Sequence, residues 1–221
     1  MKNSHRARYL AALCILVLIL GVSCKRRASQ DAGASCPPAE LQFAVAPFTN
    51  PSADYQLLAG YLPDDANKVP VGELSRLDAL LADAMASECN VTVRPASAMA
   101  KCLPAQAESG EMNRMGTLQY WQKVGQCARA QYLIIPQIIT LRERVGSAAG
   151  VEKPAKVNLS VFVMNVETGG IQNYAHFEEE QRTLMDNVLE AGKFLERKGR
   201  WLTALELAKE GLSKCVTELK L

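Results

Sequence analysis

The side chains able to do chemistry in this 221-residue chain are few. It carries seven cysteines and two histidines, and one of those histidines, His5, falls in the N-terminal leader. The cysteines do not form a CxxC pair, and His176 alone in the body is a poor start for a zinc or haem site, so the sequence implies no cofactor and no metal. Carboxylates are the next candidates. Asp54, Asp64 and Asp65 cluster in one stretch, and Glu178, Glu179 and Glu180 form a run, so acid/base work with Cys102 as nucleophile is one reading. General acid/base catalysis needs two such groups at a defined separation, and nothing in the spacing supplies it. GxSxG, HExxH and phosphate-loop patterns are all missing. No catalytic set is therefore expected.

One position does point to a definite covalent chemistry. Lys2, Arg6 and Arg8 precede an uninterrupted apolar run from Tyr9 to Val22, and small residues then lead into Cys24. A positive start, a short apolar centre and a small-residue end make a secretory signal, here residues 1–23. The run is short for a bilayer span of about 20 residues. Leu20-Gly21-Val22-Ser23-Cys24 resembles the permissive bacterial lipobox, in which the cysteine thiol is acylated and becomes the new N-terminus. Gly21 stands where leucine is usual, and Lys25-Arg26-Arg27 allows the other reading, an uncleaved inner-membrane anchor. Several acyl chains on Cys24 would hold the protein stably on a membrane. Lys25 is not the aspartate of inner-membrane retention, which favours the outer membrane.

Three of the 25 basic residues lie in the leader, leaving 22 against 23 acidic and a balance of −1. Charge thus offers no basis for a nucleic-acid partner. After removal of Cys14 and lipidation of Cys24, Cys36, Cys89, Cys102, Cys127 and Cys215 would face an oxidising compartment. Five is odd, so at least one thiol stays free or pairs between chains, and the connectivity is open. Cys127 and Cys215 fall late on two expected helices and read as small buried residues rather than metal ligands.

Elements must position these groups. Residues 24–40 are polar, small and proline-bearing, a tether. Residues 41–221 read as a single α/β domain. Leu41–Phe48 is the first strand, ended by Pro47. Thr49–Pro70 lacks periodicity and carries Tyr55, Tyr61 and Leu62, which makes it either a binding loop or a surface loop packed on its own domain. Leu74, Leu77, Leu80, Leu81, Ala84 and Met85 space a helix over Glu73–Glu88. Asn90–Pro95 is a short strand, Ser97–Leu103 a helical turn, and Thr117–Arg129 a helix with Trp121 as a core residue. Gln131–Leu141, Val157–Val166 and Ile171–Glu178 then form an antiparallel meander. Val157, Leu159, Val161 and Val163 alternate with Asn158, Ser160, Phe162 and Met164, and Glu167-Thr168-Gly169-Gly170 is a tight hairpin. Pro136 inside the first of these runs predicts an edge or a bulge. The last region, 183–219, divides at Gly199, with Trp201, Leu202, Leu205, Ala208, Leu212 and Val216 on a second helix. Lys193, Arg197, Lys198 and Arg200 make a basic cluster at that break, a solvated face or a phosphate contact. The sum is a two-layer α/β sandwich with a mixed sheet, a C-terminal antiparallel meander and helices mainly on one face.

The segments FAVAPF at 43–48, GELSRLDALLADAM at 72–85, ARAQYLIIPQI at 128–138 and VFVMNVETGGI at 161–171, behind a lipid anchor and tether, resemble one group of bacterial envelope proteins. It comprises the lipoproteins related to the curli-secretion channel protein, the lipoprotein activators of penicillin-binding proteins, and the N-terminal domain of the Tol-system propeller protein. Their functions differ, and fold does not choose among them. The connection 142–156 is polar and glycine-bearing, unsuited to a membrane-spanning hairpin, and no propeller repeats follow. The expected function is a non-catalytic, membrane-anchored, periplasm-facing lipoprotein that binds an envelope protein through Tyr55, Tyr61 and Leu62. The alternative is a structural subunit of an oligomeric envelope ring, packed through the Pro136 strand and the helix from Trp201.

Overall fold

In a computed structural model, residues 42–88, 93–103, 113–147, 151–181, 197 and 200–220 are described, all within the unit Ala34–Leu221. Cys24, the leader and the tether lie outside these residues, as do Cys36, Cys89, Lys193, Lys198 and nearly all of the expected 183–219 region before its break at Gly199.

The elements follow from local sequence. Strand β1 is Phe43–Val45, helix α1 Val71–Glu88, strand β2 Val93–Arg94, helix α2 Arg114–Cys127 and strand β3 Tyr132–Arg142. A small ribbon of β4, Val145–Gly146, and β5, Val151–Lys153, leads into β6, Lys156–Asn165, and β7, Ile171–Glu180; helix α3 is Ala204–Leu219. Two 3-10 turns, Asp54–Gln56 and Ala96–Cys102, complete the set. Helix α2 begins three residues before the periodicity predicts because the Asn113 side chain accepts the Gly116 N–H at 2.8 Å. Helix α3 opens later than the apolar spacing suggests. Thr203 and Glu206 form a reciprocal capping box, so Trp201 and Leu202 precede the helix as buried residues rather than belonging to it.

The main sheet has the order β2-β1-β3-β6-β7, with β1 parallel to β2 and β3, and β3-β6-β7 antiparallel. This is the mixed sheet with a C-terminal meander expected from the sequence. The period-two alternation divides β6 between two cores. Val157, Leu159, Val161 and Val163 face α1 and α3, which pack side by side. Phe162 and Met164 face Trp121 and Val124 of α2, with Met99 of the 3-10 turn. The longer two helices thus share one face, and α2 adds a partial layer over the other.

Pro136 corrects one expectation: β3 lies at the centre of the sheet, between β1 and β6. The missing N–H is tolerated because β1 ends at Val45 and the chain beyond it is irregular here, bonding the Ile134 carbonyl through Ala46 and meeting β3 again only at Thr49. The Phe48 N–H that follows turns to the Asp78 carboxylate of α1 at 2.7 Å, while the Pro136 carbonyl accepts the Thr49 N–H at 3.2 Å. The hairpin between β6 and β7 forms where the glycines predict it. Gly169 adopts φ +72°, and Gln122 of α2 donates to the Val166 and Glu167 carbonyls at 3.1 and 3.2 Å, fastening the helix to the turn.

Candidate functional site

The stretch from Thr49 to Pro70 is a built loop, and its bonds show which part is free to meet a partner. Beyond the end of β1 it covers the exposed flank of β3. The Thr49 carbonyl accepts the Ile138 N–H at 2.9 Å, and the Asn67 N–H donates to the Ile139 carbonyl at 3.2 Å. The Asn50 amide donates to Ile138 at 2.9 Å and its oxygen accepts the Val69 N–H at 2.9 Å. Asn67 does the same work one step along, meeting both the carbonyl and the N–H of Leu141 at 3.0 and 2.8 Å. These two side chains substitute for a neighbouring strand.

Beneath the loop, the sheet face is polar where α2 no longer covers it. Gln137, 2% exposed, accepts the Leu58 N–H at 3.2 Å and donates to the Gln56 carbonyl at 2.9 Å. Thr140 donates to the Asp65 carbonyl at 3.3 Å. Lys156 reaches Asp65 at 2.7 Å and Glu178 at 3.0 Å. That contact with Lys156 holds the Asp65 carboxyl below its usual range, against some desolvation, and Asp65 in turn raises the Lys156 ammonium.

The tip stands clear of this foundation. Leu57 and Leu58 are buried anchors. Tyr55 is half-buried, its carbonyl taken by the Thr117 hydroxyl at 2.6 Å. The Leu62 N–H donates to the Asp54 carboxylate at 2.7 Å. Arg114 donates to the Gly60 carbonyl at 2.6 Å and sets its guanidinium 5.8 Å from the centre of the Tyr61 ring. Gly60 takes φ +73°, a conformation that a side chain would strain. The result is a fixed backbone presenting Tyr61 at 80% exposure, with Met115, beside Arg114 in sequence, also exposed. Leu62 is partly buried and lines a groove of about 590 Å³ with Pro51, Asn67, Lys68, Val69 and Leu74. Of the three residues proposed from sequence, Tyr61 and Leu62 lie at the surface of the tip, whereas Tyr55 helps to hold it.

Arg114, Gln137, Asn50, Asn67 and Lys156 position the tip and were not read from the sequence as part of it. A signal existed for one of them. Gln137 interrupts the apolar run of β3, and a buried amide requires partners.

The other candidates have definite structural roles. Cys102 is not a free nucleophile: it forms a disulfide with Cys127, which ties the 3-10 turn to the end of α2. The expectation that Cys127 is a plain buried residue is corrected by the same bond, because the turn at Ala96–Cys102 brings the two within a Cα separation of 5.6 Å. Cys215 is buried and free, and burial pushes its thiol up to about 12. Glu178 pairs with Lys156, Glu179 with Arg197 at 2.8 Å, and Glu180 with Arg142. Arg197 also meets Glu210, and Arg200 meets Glu206 at 3.0 Å, so both arginines of the basic cluster that are described serve ion pairs. His176 bonds the Ser160 hydroxyl at 3.0 Å. Among the described residues no group of three or more metal-ligating side chains converges, and no helix is long and apolar enough to cross a membrane. Of the two surfaces expected to join ring protomers, the Pro136 strand is not an edge, since it lies mid-sheet, and Trp201 is a buried residue ahead of the last helix.

No family model matches the chain, and no curated protein matches it. Solved structures similar to it include the PelC dodecamer from Paraburkholderia phytofirmans, at 15% identity over 84% of this chain and 93% of that one, TM-score 0.46. They also include the C-terminal domain of LpoB from Escherichia coli, at 15% identity over 63% and 83%, TM-score 0.37. Lipoprotein GNA1162 from Neisseria meningitidis is similar at 11% identity over 72% and 99%, TM-score 0.37. At these values none of the three transfers a partner or an assembly to this chain.

Proposed function

We propose that this protein is a lipid-anchored, non-catalytic component of the bacterial cell envelope, facing the periplasm from the outer membrane, that binds another envelope protein through the tip of the 49–70 loop. The anchor reading comes from the leader and Cys24. The observation that carries the binding reading is Tyr61, 80% exposed on a backbone bonded from both sides by Asp54 and Arg114. A tyrosine held this way offers a large amphipathic contact with little conformational entropy left to lose on binding. Support for a non-catalytic role comes from the fate of the carboxylates: Asp65 ties the loop to Lys156 of the sheet, Glu178 and Glu180 pair with Lys156 and Arg142 of neighbouring strands, and Glu179 pairs with Arg197.

The test is recovery of bound proteins from detergent-solubilised envelopes. A specific protein should co-purify with the wild type and be reduced at least about tenfold by Tyr61→Ala, as for a central aromatic anchor. Recovery of no partner, or equal recovery with Tyr61→Ala and Leu62→Ala, overturns the loop reading. Palmitate labelling of the wild type that persists in Cys24→Ala overturns the anchor.

A further inference from the structure

The second feature left open by the fold is an edge. Among the described residues β7 is paired on its β6 side alone, and it spans Ile171–Glu180, whereas β2 at the other edge is only Val93–Arg94. The direction of its backbone groups follows from two independent observations. The Gln181 N–H donates to the Ala155 carbonyl at 3.2 Å, so in this antiparallel register Glu179, Phe177 and Ala175 are the residues bonded to β6. Pro136, opposite Val161, turns its carbonyl to the Thr49 N–H on the β1 side and so makes no bond to β6, which leaves Val161 directing its own groups toward Ala175. Tyr174, His176 and Glu178 therefore direct their N–H and C=O groups to the open side.

Exposed edges are ordinarily blunted by proline, lysine or bulges. β7 contains neither proline nor lysine, and its register shift lies at the hairpin end, opposite Val163/Met164. The Tyr174 N–H is covered by the Asn173 side chain at 2.9 Å. The Tyr174 ring, 55% exposed, stacks on Phe162 with centroids 5.9 Å apart. The strand's charges are confined to Glu178, Glu179 and Glu180, at one end.

We propose that two copies of this chain join along β7, antiparallel, about a two-fold axis at His176. Charge selects this occupant and this register. With His176 on the axis, Tyr174 lies opposite the second copy's Glu178 and Asn173 opposite its Glu179, so each acidic end meets an uncharged one. Moving the axis to Glu178 would set two like carboxylates face to face, and moving it to Tyr174 would give up the Glu178 end of the ladder. The pairing continues both sheets into one and keeps α1 and α3 of each copy on the same side. It is independent of the loop carrying Tyr61.

Sedimentation equilibrium of the full chain in detergent micelles tests this. A dimer is expected, unchanged by Tyr61→Ala. Tyr174→Glu places a carboxylate opposite Glu178 twice per dimer and should weaken association about tenfold, while Tyr174→Lys should strengthen it. His176→Pro should abolish the dimer and leave the fold intact, because the N–H it removes does not bond β6; if that variant unfolds, the two Tyr174 variants decide. A monomer at every concentration reached, a dimer indifferent to both charges at 174, or an edge that takes an unrelated extended peptide but not its own copy overturns the proposal.

Discussion

The side-chain amide of Asn67 bonds both backbone groups of Leu141, donating to its carbonyl at 3.0 Å and accepting its N–H at 2.8 Å. One asparagine thus does the work of a strand residue at the flank of β3, and it fastens the far side of the loop whose tip presents Tyr61. Asn67→Ala removes both bonds at an exposed site. A loss of about 1–2 kcal/mol in urea unfolding is expected. Partner recovery should fall with it although Asn67 is not at the tip, whereas Lys68→Ala, with no such bonds to β3, should leave both unchanged.

Lys156 gives the same loop a pH dependence. Asp65 is held below its usual range by the hydrogen bond from Lys156, so its contribution is present at neutral pH and is lost as pH falls through that lowered value. Lys156 is raised by Asp65, so its contribution is complete below the ordinary lysine value and is lost as pH rises through the raised one. Tyrosine near-UV dichroism should therefore be constant across neutral pH and change on the acid side below the normal aspartate range, with a second change in strong alkali. In Lys156→Met the Asp65 part of the acid change should move up toward the ordinary carboxylate range.

Gly211 of α3 faces the ring of Phe177, and a Cβ there would lie 2.3 Å from it. Gly211→Ala gains up to about 1 kcal/mol of helix propensity. It must also displace a buried ring, which costs about 1–3 kcal/mol. Net destabilisation is expected in thermal unfolding, with Phe177→Leu in the same chain recovering part of it.

The Cys102–Cys127 bond closes a loop of sequence separation 25. By the chain-entropy relation its removal in the double variant Cys102→Ser/Cys127→Ser should cost about 3.5 kcal/mol, read as a lower denaturation midpoint. Cys215, whose thiol burial pushes up to about 12, should resist alkylation in the native protein and react once it is unfolded.

What the sequence by itself determined was local. Alternation in Val157–Val166 marked a strand, Glu167-Thr168-Gly169-Gly170 a hairpin, and the apolar spacing of 74–85 and 201–216 two helices that pack on a sheet, the second of which starts only at Ala204. Each of these depends on whether successive side chains point to the same side, which neighbouring residues settle among themselves. Tertiary structure alone decided that Pro136 sits in a central strand, because a missing donor matters only where a neighbour would have accepted, and β1 has ended by then. It likewise decided that Cys102 meets Cys127 and that Asn67 meets Leu141. Partners distant in sequence are chosen by how the whole chain closes on its core, and the composition of either residue carries no record of that choice.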